Sequence, residues 1–136
     1  MYKFKKQERL CSLIEIRKLF VCGENFLNYP FSVRYKIEEK SIFPQVQVVI
    51  VSPKRYQKLS VNRNRAKRLI RESYRLNKEE ITKFAEENNI GIKISISLVS
   101  QNIPDYKTVN TKIQKILSNI IHKTSEIIEN NNQSNK

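Results

Sequence analysis

Apolar and polar positions alternate from residue 31 to residue 37. Phe31, Val33, Tyr35 and Ile37 fall on one side, Ser32, Arg34 and Lys36 on the other, which is the two-residue period of a half-buried strand. Residues 45–52 (QVQVVIVS) are more uniformly apolar and predict a second strand, ended by Pro53. Residues 90–99 (IGIKISISLV) alternate again, with Ile92, Ile94, Ile96 and Leu98 set against Lys93, Ser95 and Ser97. Elsewhere the period is that of a helix. Over residues 62–88, with Asn62 as the predicted cap, Ala66, Leu69, Ile70, Ser73, Tyr74, Ile81 and Phe84 gather on one side. Residues 12–22 predict a short helix, with Ser12 and Glu15 spaced as a capping box and Gly23 as the stop. Its apolar set is Leu13, Ile16, Leu19 and Phe20. Pro104 and Asp105 introduce a last helix, with Tyr106, Val109, Ile113, Ile116, Leu117, Ile120, Ile127 and Ile128 as its stripe.

The order is helix, two or more strands, long helix, strand, helix. Helices that follow strands predict an α/β two-layer sandwich, with helices over a small mixed sheet. The chain divides into a basic N-terminal arm (1–11), a single α/β domain (12–128) and a polar tail (129–136) expected to be disordered. Its 136 residues suffice for one modest core. Ser32, Arg34 and Lys36 make the uncovered side of the sheet a hydrophilic trough, flanked by the first helix.

Charge narrows the partner. There are 26 Lys plus Arg against 13 Asp plus Glu, a net charge of +13. Self-repulsion of that size favours an anionic partner, with nucleic acid the first candidate and an acidic membrane surface the second. The positive charge concentrates in residues 54–75, KRYQKLSVNRNRAKRLIRESYR, where nine residues are cationic and only Glu72 is acidic. Asn64, Lys67, Arg68, Arg71 and Arg75 lie opposite the apolar side of the long helix, with Arg65 at the edge. Lys54 and Arg55 sit in the basic connection before it. Arg forks match phosphate oxygens bidentately, so this face fits a nucleic acid backbone. Phe20, Tyr2, Phe4 and Tyr35 are candidate stacking platforms for single-stranded bases, although Tyr35 lies on the apolar side of its strand and so reads as core.

Other chemistries find little support. No apolar run approaches the roughly 20 residues of a membrane span, and no signal peptide is visible, so a cytoplasmic protein is expected. If one helix carried both Cys11 and Cys22, they would stand about 16 Å apart, too far for a disulfide. His122 is the only histidine and reads as a surface residue. Glu79, Glu80, Glu86 and Glu87 look like a solvated helix end. No catalytic or metal-binding constellation is expected.

The stretch NRNRAKRLIRESYR closely resembles the basic signature of the bacterial ribonuclease P protein family. The matching residues are Arg63-Asn64-Arg65 followed by Lys67-Arg68-Leu69-Ile70-Arg71. The basic arm, Arg9-Leu10, the KLF at residues 18–20, Gly23 and the strand ending VSPKR stand in the same order as in that family. This resemblance implies a left-handed βαβ crossover and the role of protein subunit in a ribonucleoprotein. There the catalyst is an RNA that uses Mg²⁺ to remove the 5′ leader of precursor tRNA, so the protein itself is non-catalytic. It implies that Arg63, Asn64, Arg65, Lys67, Arg68, Arg71, Arg75, Lys54 and Arg55 bind the RNA subunit. It also implies that Phe20, Ile16, Arg9, Arg34 and Lys36 line the cleft for the leader. Ile16 stands where many members have Phe, and Arg34 where some have Tyr. The alternative is a non-catalytic structural or ribosomal RNA-binding protein. A self-sufficient nuclease lacks its acid, base and metal ligands, and a DNA-binding reading lacks helix-turn-helix spacing.

Overall fold

The computed structural model describes residues 13–38 and 46–134. Along them run α1 (Leu13–Cys22), β1 (Glu24–Asn28), β2 (Phe31–Glu38), β3 (Val46–Val51), α2 (Ser60–Asn77), α3 (Glu79–Asn88), β4 (Gly91–Leu98) and α4 (Tyr106–Ser134). The four strands form one sheet in the order β1-β2-β4-β3. β1 pairs with β2 and β2 with β4 antiparallel, whereas β3 pairs with β4 in parallel. A parallel pair requires a crossover, and α2 with α3 supplies it. The result is the α/β sandwich that the order of periods predicts, and its sheet is mixed.

Strand alternation decides which face is covered. Phe31, Val33 and Tyr35 of β2, Val46 and Val48 of β3, and Ile92, Ile94, Ile96 and Leu98 of β4 all point to the same side and are buried. They pack against Ala66, Ile70 and Tyr74 of α2, Ile81 and Ala85 of α3, and Val109, Ile113, Ile116 and Ile120 of α4. Full burial of each large aliphatic side chain contributes roughly 1.5–3 kcal/mol. Tyr35 belongs to this core. α1 lies on the opposite face of the sheet: its one buried residue, Leu19, is fully enclosed yet outside that cluster.

Several sequence expectations are corrected. β1 is not legible as a strand: ENFLN has no clean alternation, and Leu27 stays 65% exposed. It forms because the hairpin brings it beside β2. The long helix expected over 62–88 is two helices that meet at Lys78, which serves α2 as C-cap and α3 as N-cap. Lys78 keeps right-handed helical angles (φ −76°, ψ −15°), so the apolar phase runs through the junction and hides it. α2 begins at Ser60, before the expected cap Asn62, with an extended Leu59 as N-cap and no side-chain capping bond. In α1, Leu13 is 72% exposed despite its place in the apolar set. α4 continues through Ser134, where a disordered tail is expected from residue 129. Propagating an established helix adds one hydrogen bond per residue fixed, and no Gly or Pro follows Pro104 to stop it.

Helix ends are set locally. Asp105 accepts the Thr108 amide at 3.0 Å and caps α4. Asn89 closes α3 in the left-handed region (φ 53°), and the next amide, Ile90 N–H, donates to Ala85 O at 3.1 Å. Gly23 closes α1 by donating to Leu19 O at 2.9 Å. A Cβ there would stand 3.0 Å from Tyr35 O and closer still to Leu19 O; only glycine lets α1 approach β2 this closely.

Candidate nucleic-acid interface

α2 carries two faces because its sequence alternates them at helical spacing. Ala66, Ile70, Ser73 and Tyr74 are buried. Asn64, Arg65, Arg68 and Arg71 are exposed, and Lys67 is half-buried. Arg65, Lys67, Arg68 and Arg71 form no ion pair among the described residues. Their charge is therefore available to an external anion.

Two other residues of the expected set are engaged within the protein. Arg63 is half-buried, and its Nη1 donates to Gln57 O and Lys58 O, both at 2.9 Å. It shapes the connection before α2. Arg75 pairs with Glu72 one turn back; this bond holds the Glu72 carboxyl below its usual range.

The connection itself is ordered by Gln57, a residue that sequence patterning does not single out. Gln57 is 3% exposed, and its amide nitrogen donates to Ser100 O and Gln101 O at 2.8 Å each. These bonds clip the connection to the loop after β4 and leave Lys54 and Arg55 exposed. The Arg55 guanidinium stacks 4.8 Å from the Tyr56 ring centre. One polar residue in a basic run carries no signal of this.

Polar bonds also fix α2 against α4. Asn110 Oδ1 accepts from Ser73 Oγ at 3.2 Å and from Asn77 Nδ2 at 2.6 Å, and Gln114 donates to Asn77 Oδ1 at 3.0 Å. The cationic face of α2 is thus held rigidly on the helical layer.

The second surface is the uncovered side of the sheet, with α1 as one wall. Strand register sets its rows: Lys36 beside Lys93 beside Gln47, Arg34 beside Ser95 beside Val49, and Ser32 beside Ser97 beside Val51. Phe20, 37% exposed, looks onto this face from α1. Arg34 binds it in two ways: Nη1 donates to Phe20 O at 2.6 Å, and the guanidinium lies 5.2 Å from the ring centre. Ile16 and Lys36 are half-buried at the same surface. Arg9 lies outside the described residues, as do the arm residues Tyr2 and Phe4 and the thiol of Cys11. Cys22 is exposed and free.

A three-residue ion cluster lies between α1 and the sheet. Lys93 Nζ donates to Glu15 Oε2 at 2.6 Å and to Glu38 Oε1 at 2.9 Å. The Lys93 side chain is only 14% exposed. Burial works against its ammonium, but the bonds to Glu15 and Glu38 outweigh burial, and its pKa is raised. The hydrogen bond and charge of Lys93 hold the Glu15 carboxyl below its ordinary value, with Lys18 and Lys36 adding to the effect. By sequence Glu15 fits a capping box and Lys93 the polar side of its strand; no spacing links two residues so distant in the chain.

His122 is on the outer side of α4, 3.1 Å from Glu126. No helix among the described residues is long and apolar enough to cross a membrane.

The chain matches known proteins over most of its length. The Ribonuclease P family profile matches residues 4–121. The ribonuclease P protein component of Porphyromonas gingivalis is 38% identical over 120 residues, which are 88% of this chain and 87% of that protein. That of Chlorobium phaeobacteroides is 29% identical over 126 residues, 85% of this chain and 86% of the relative. Among solved structures, the RNase P protein of Staphylococcus aureus superposes with a TM-score of 0.65 at 18% identity, covering 83% of this chain and 94% of that one. The RNase P protein of Thermotoga maritima gives 0.61 at 23% identity, covering 81% and 94%. At these identities the two structures speak for the fold, and the sequence matches for the family.

Proposed function

This chain belongs to the ribonuclease P protein family, and from that premise we infer how its two surfaces divide between two RNAs. It is the protein subunit of an endoribonuclease of tRNA 5′ processing, and ribonuclease P RNA is its partner. In our reading the cationic face of α2 docks on that RNA through Arg65, Lys67, Arg68 and Arg71, with Asn64 supplying hydrogen bonds. Lys54 and Arg55 extend the docking surface along the connection, and Arg63 and Arg75 hold its shape. The open side of the sheet takes the 5′ leader of precursor tRNA. Phe20 offers a stacking surface to a base, Arg34 and Lys36 offer charge to its backbone, and Ile16 gives an apolar margin.

The observation that carries this reading is the outward row of Arg65, Lys67, Arg68 and Arg71, which has no ion-pair partner among the described residues. Phosphate contacts of this kind give affinity and register without reading sequence. A trough with cations and an aromatic holds a single strand largely without base readout.

The mechanism assigned to the protein is electrostatic and positional. The ribonuclease P RNA and the precursor tRNA are both polyanions and repel each other. A protein of net charge +13 between them screens that repulsion and lowers the cation concentration needed for association. Cleavage itself is assigned to the RNA, which supplies the Mg²⁺ site. The described residues include no group of three His, Cys, Asp or Glu side chains suited to a metal ion. The same reading puts the particle in the cytoplasm.

The test compares precursor tRNA carrying a long leader with mature, leaderless tRNA. Phe20→Ala should weaken the leader-bearing substrate by about 1–3 kcal/mol, the contribution of one stacked base, and leave the leaderless one unchanged. Equal effects on both would return Phe20 to a packing role.

A further inference from the structure

α1 is held over the open sheet face by a small set of ties, and they are unusual in kind. It buries a single residue, Leu19. At its C-terminal end, Arg34 donates to Phe20 O at 2.6 Å and Gly23 abuts Tyr35 O. Nearer its N-terminal end, one tie among the described residues is the bond from Lys93 to Glu15 at 2.6 Å. Lys93 stands on the central strand β4, directly opposite Lys36 of β2 and Gln47 of β3. In a trough meant for a polyanion, a lysine there would be expected to stay free for phosphate. Here it is instead bonded to two carboxylates, one from α1 and one from β2.

We propose that Lys93 is a positioning residue: with Glu38 fixing it to β2 and Glu15 linking it to α1, it latches α1 against the sheet and so sets where Phe20 stands beside the open face. This rests on the reading of the open face as the leader site. The latch itself does not touch the leader. It fixes where Phe20 and Ile16 stand relative to Arg34 and Lys36, so that the Phe20 ring, packed on the Arg34 guanidinium, and the neighbouring cations form one continuous surface. The cost of arranging them falls on folding, which leaves more of the interaction for binding. The charged groups around the latch are Lys18 of α1 and Lys36 of β2, both of which favour the ionised Glu15.

The test uses the assembled ribonucleoprotein and three variants. Lys93→Met keeps the length of the side chain and removes both ion pairs. Lys93→Arg can remake them. Ile116→Val trims the core beneath α4, away from the open face, and serves as a control for reduced stability alone. Two readouts are taken: hydrogen exchange of the α1 amides in the free protein, and affinity for leader-bearing against leaderless precursor in the holoenzyme. Lys93→Met should reduce protection in α1 and lower leader preference about tenfold, the scale of one charge-assisted hydrogen bond. Lys93→Arg should recover both, and Ile116→Val should leave leader preference intact. Unchanged α1 protection in Lys93→Met would overturn the latch. Loosened α1 with intact leader preference would overturn its functional half. If the unmodified holoenzyme itself showed no leader preference, the leader reading would fall and the proposed use of the latch with it.

Discussion

Glu15 and Lys93 form a charged link between α1 and the sheet, and their shifted pKa values give it a defined pH window. The folded pKa of Glu15 lies below its ordinary 4.5, mainly through its hydrogen bond to Lys93. Its contribution is therefore present above that value and lost as pH falls through the folded pKa. The folded pKa of Lys93 lies above 10.5, so its contribution is complete below that value and lost as pH rises through the folded one. Denaturation of wild type and Glu15→Gln should therefore differ by a constant amount across neutral pH, and the difference should shrink below about pH 4.5. A difference unchanged at lower pH would mean that the carboxylate charge is not what holds α1. Gly23 is the second sensitive residue at this wall. A Cβ at Gly23 would force the Leu19 and Tyr35 carbonyls apart, and Gly23→Ala should cost about 1–3 kcal/mol of overpacking strain, measured by urea denaturation.

Among the elements, α2 combines its two tasks by separating them onto opposite faces. The buried face meets α4 through Ser73, Asn77, Asn110 and Gln114, and the outward face keeps four cations with no ion pair among the described residues. Replacing both Arg65 and Arg68 by Ala should leave thermal stability nearly unchanged. It should flatten the salt dependence of RNA-subunit binding by about 0.7–0.9 in log–log slope for each phosphate that is no longer neutralised. A slope equal to wild type would remove this face from the interface. Most of this element is legible in the sequence, because a helix writes its two faces at a fixed spacing. The same holds for β2, β3 and β4, whose alternation fixes both the core and the open face. The junction at Lys78 is hidden because a residue that keeps helical angles does not disturb the period. β1 is hidden because its pairing with β2, not its own composition, makes it a strand. The Glu15–Lys93–Glu38 cluster and the anchoring of Gln57 join positions remote in the chain, and no local pattern encodes such pairings. Arg63 matches a cationic face by spacing, but its guanidinium is claimed by the Gln57 and Lys58 carbonyls, and Arg75 is paired on the surface with Glu72 three residues before it.

For the molecule as a whole, the sandwich separates the cationic face on its helices, proposed to dock on RNA, from the open sheet face, proposed to take a single strand. The net charge of +13 suits the fold to binding more than one polyanion, and association with either should weaken steeply with salt. In the proposed division of labour the protein assists an RNA catalyst. The sharpest check is cleavage of precursor tRNA at low Mg²⁺ with the protein alone, with ribonuclease P RNA alone, and with both together. Cleavage should occur only in the mixture, with the RNA alone recovering activity as Mg²⁺ is raised. Cleavage by the protein alone, persisting in preparations freed of contaminating nuclease, would show instead that the protein carries an active site of its own.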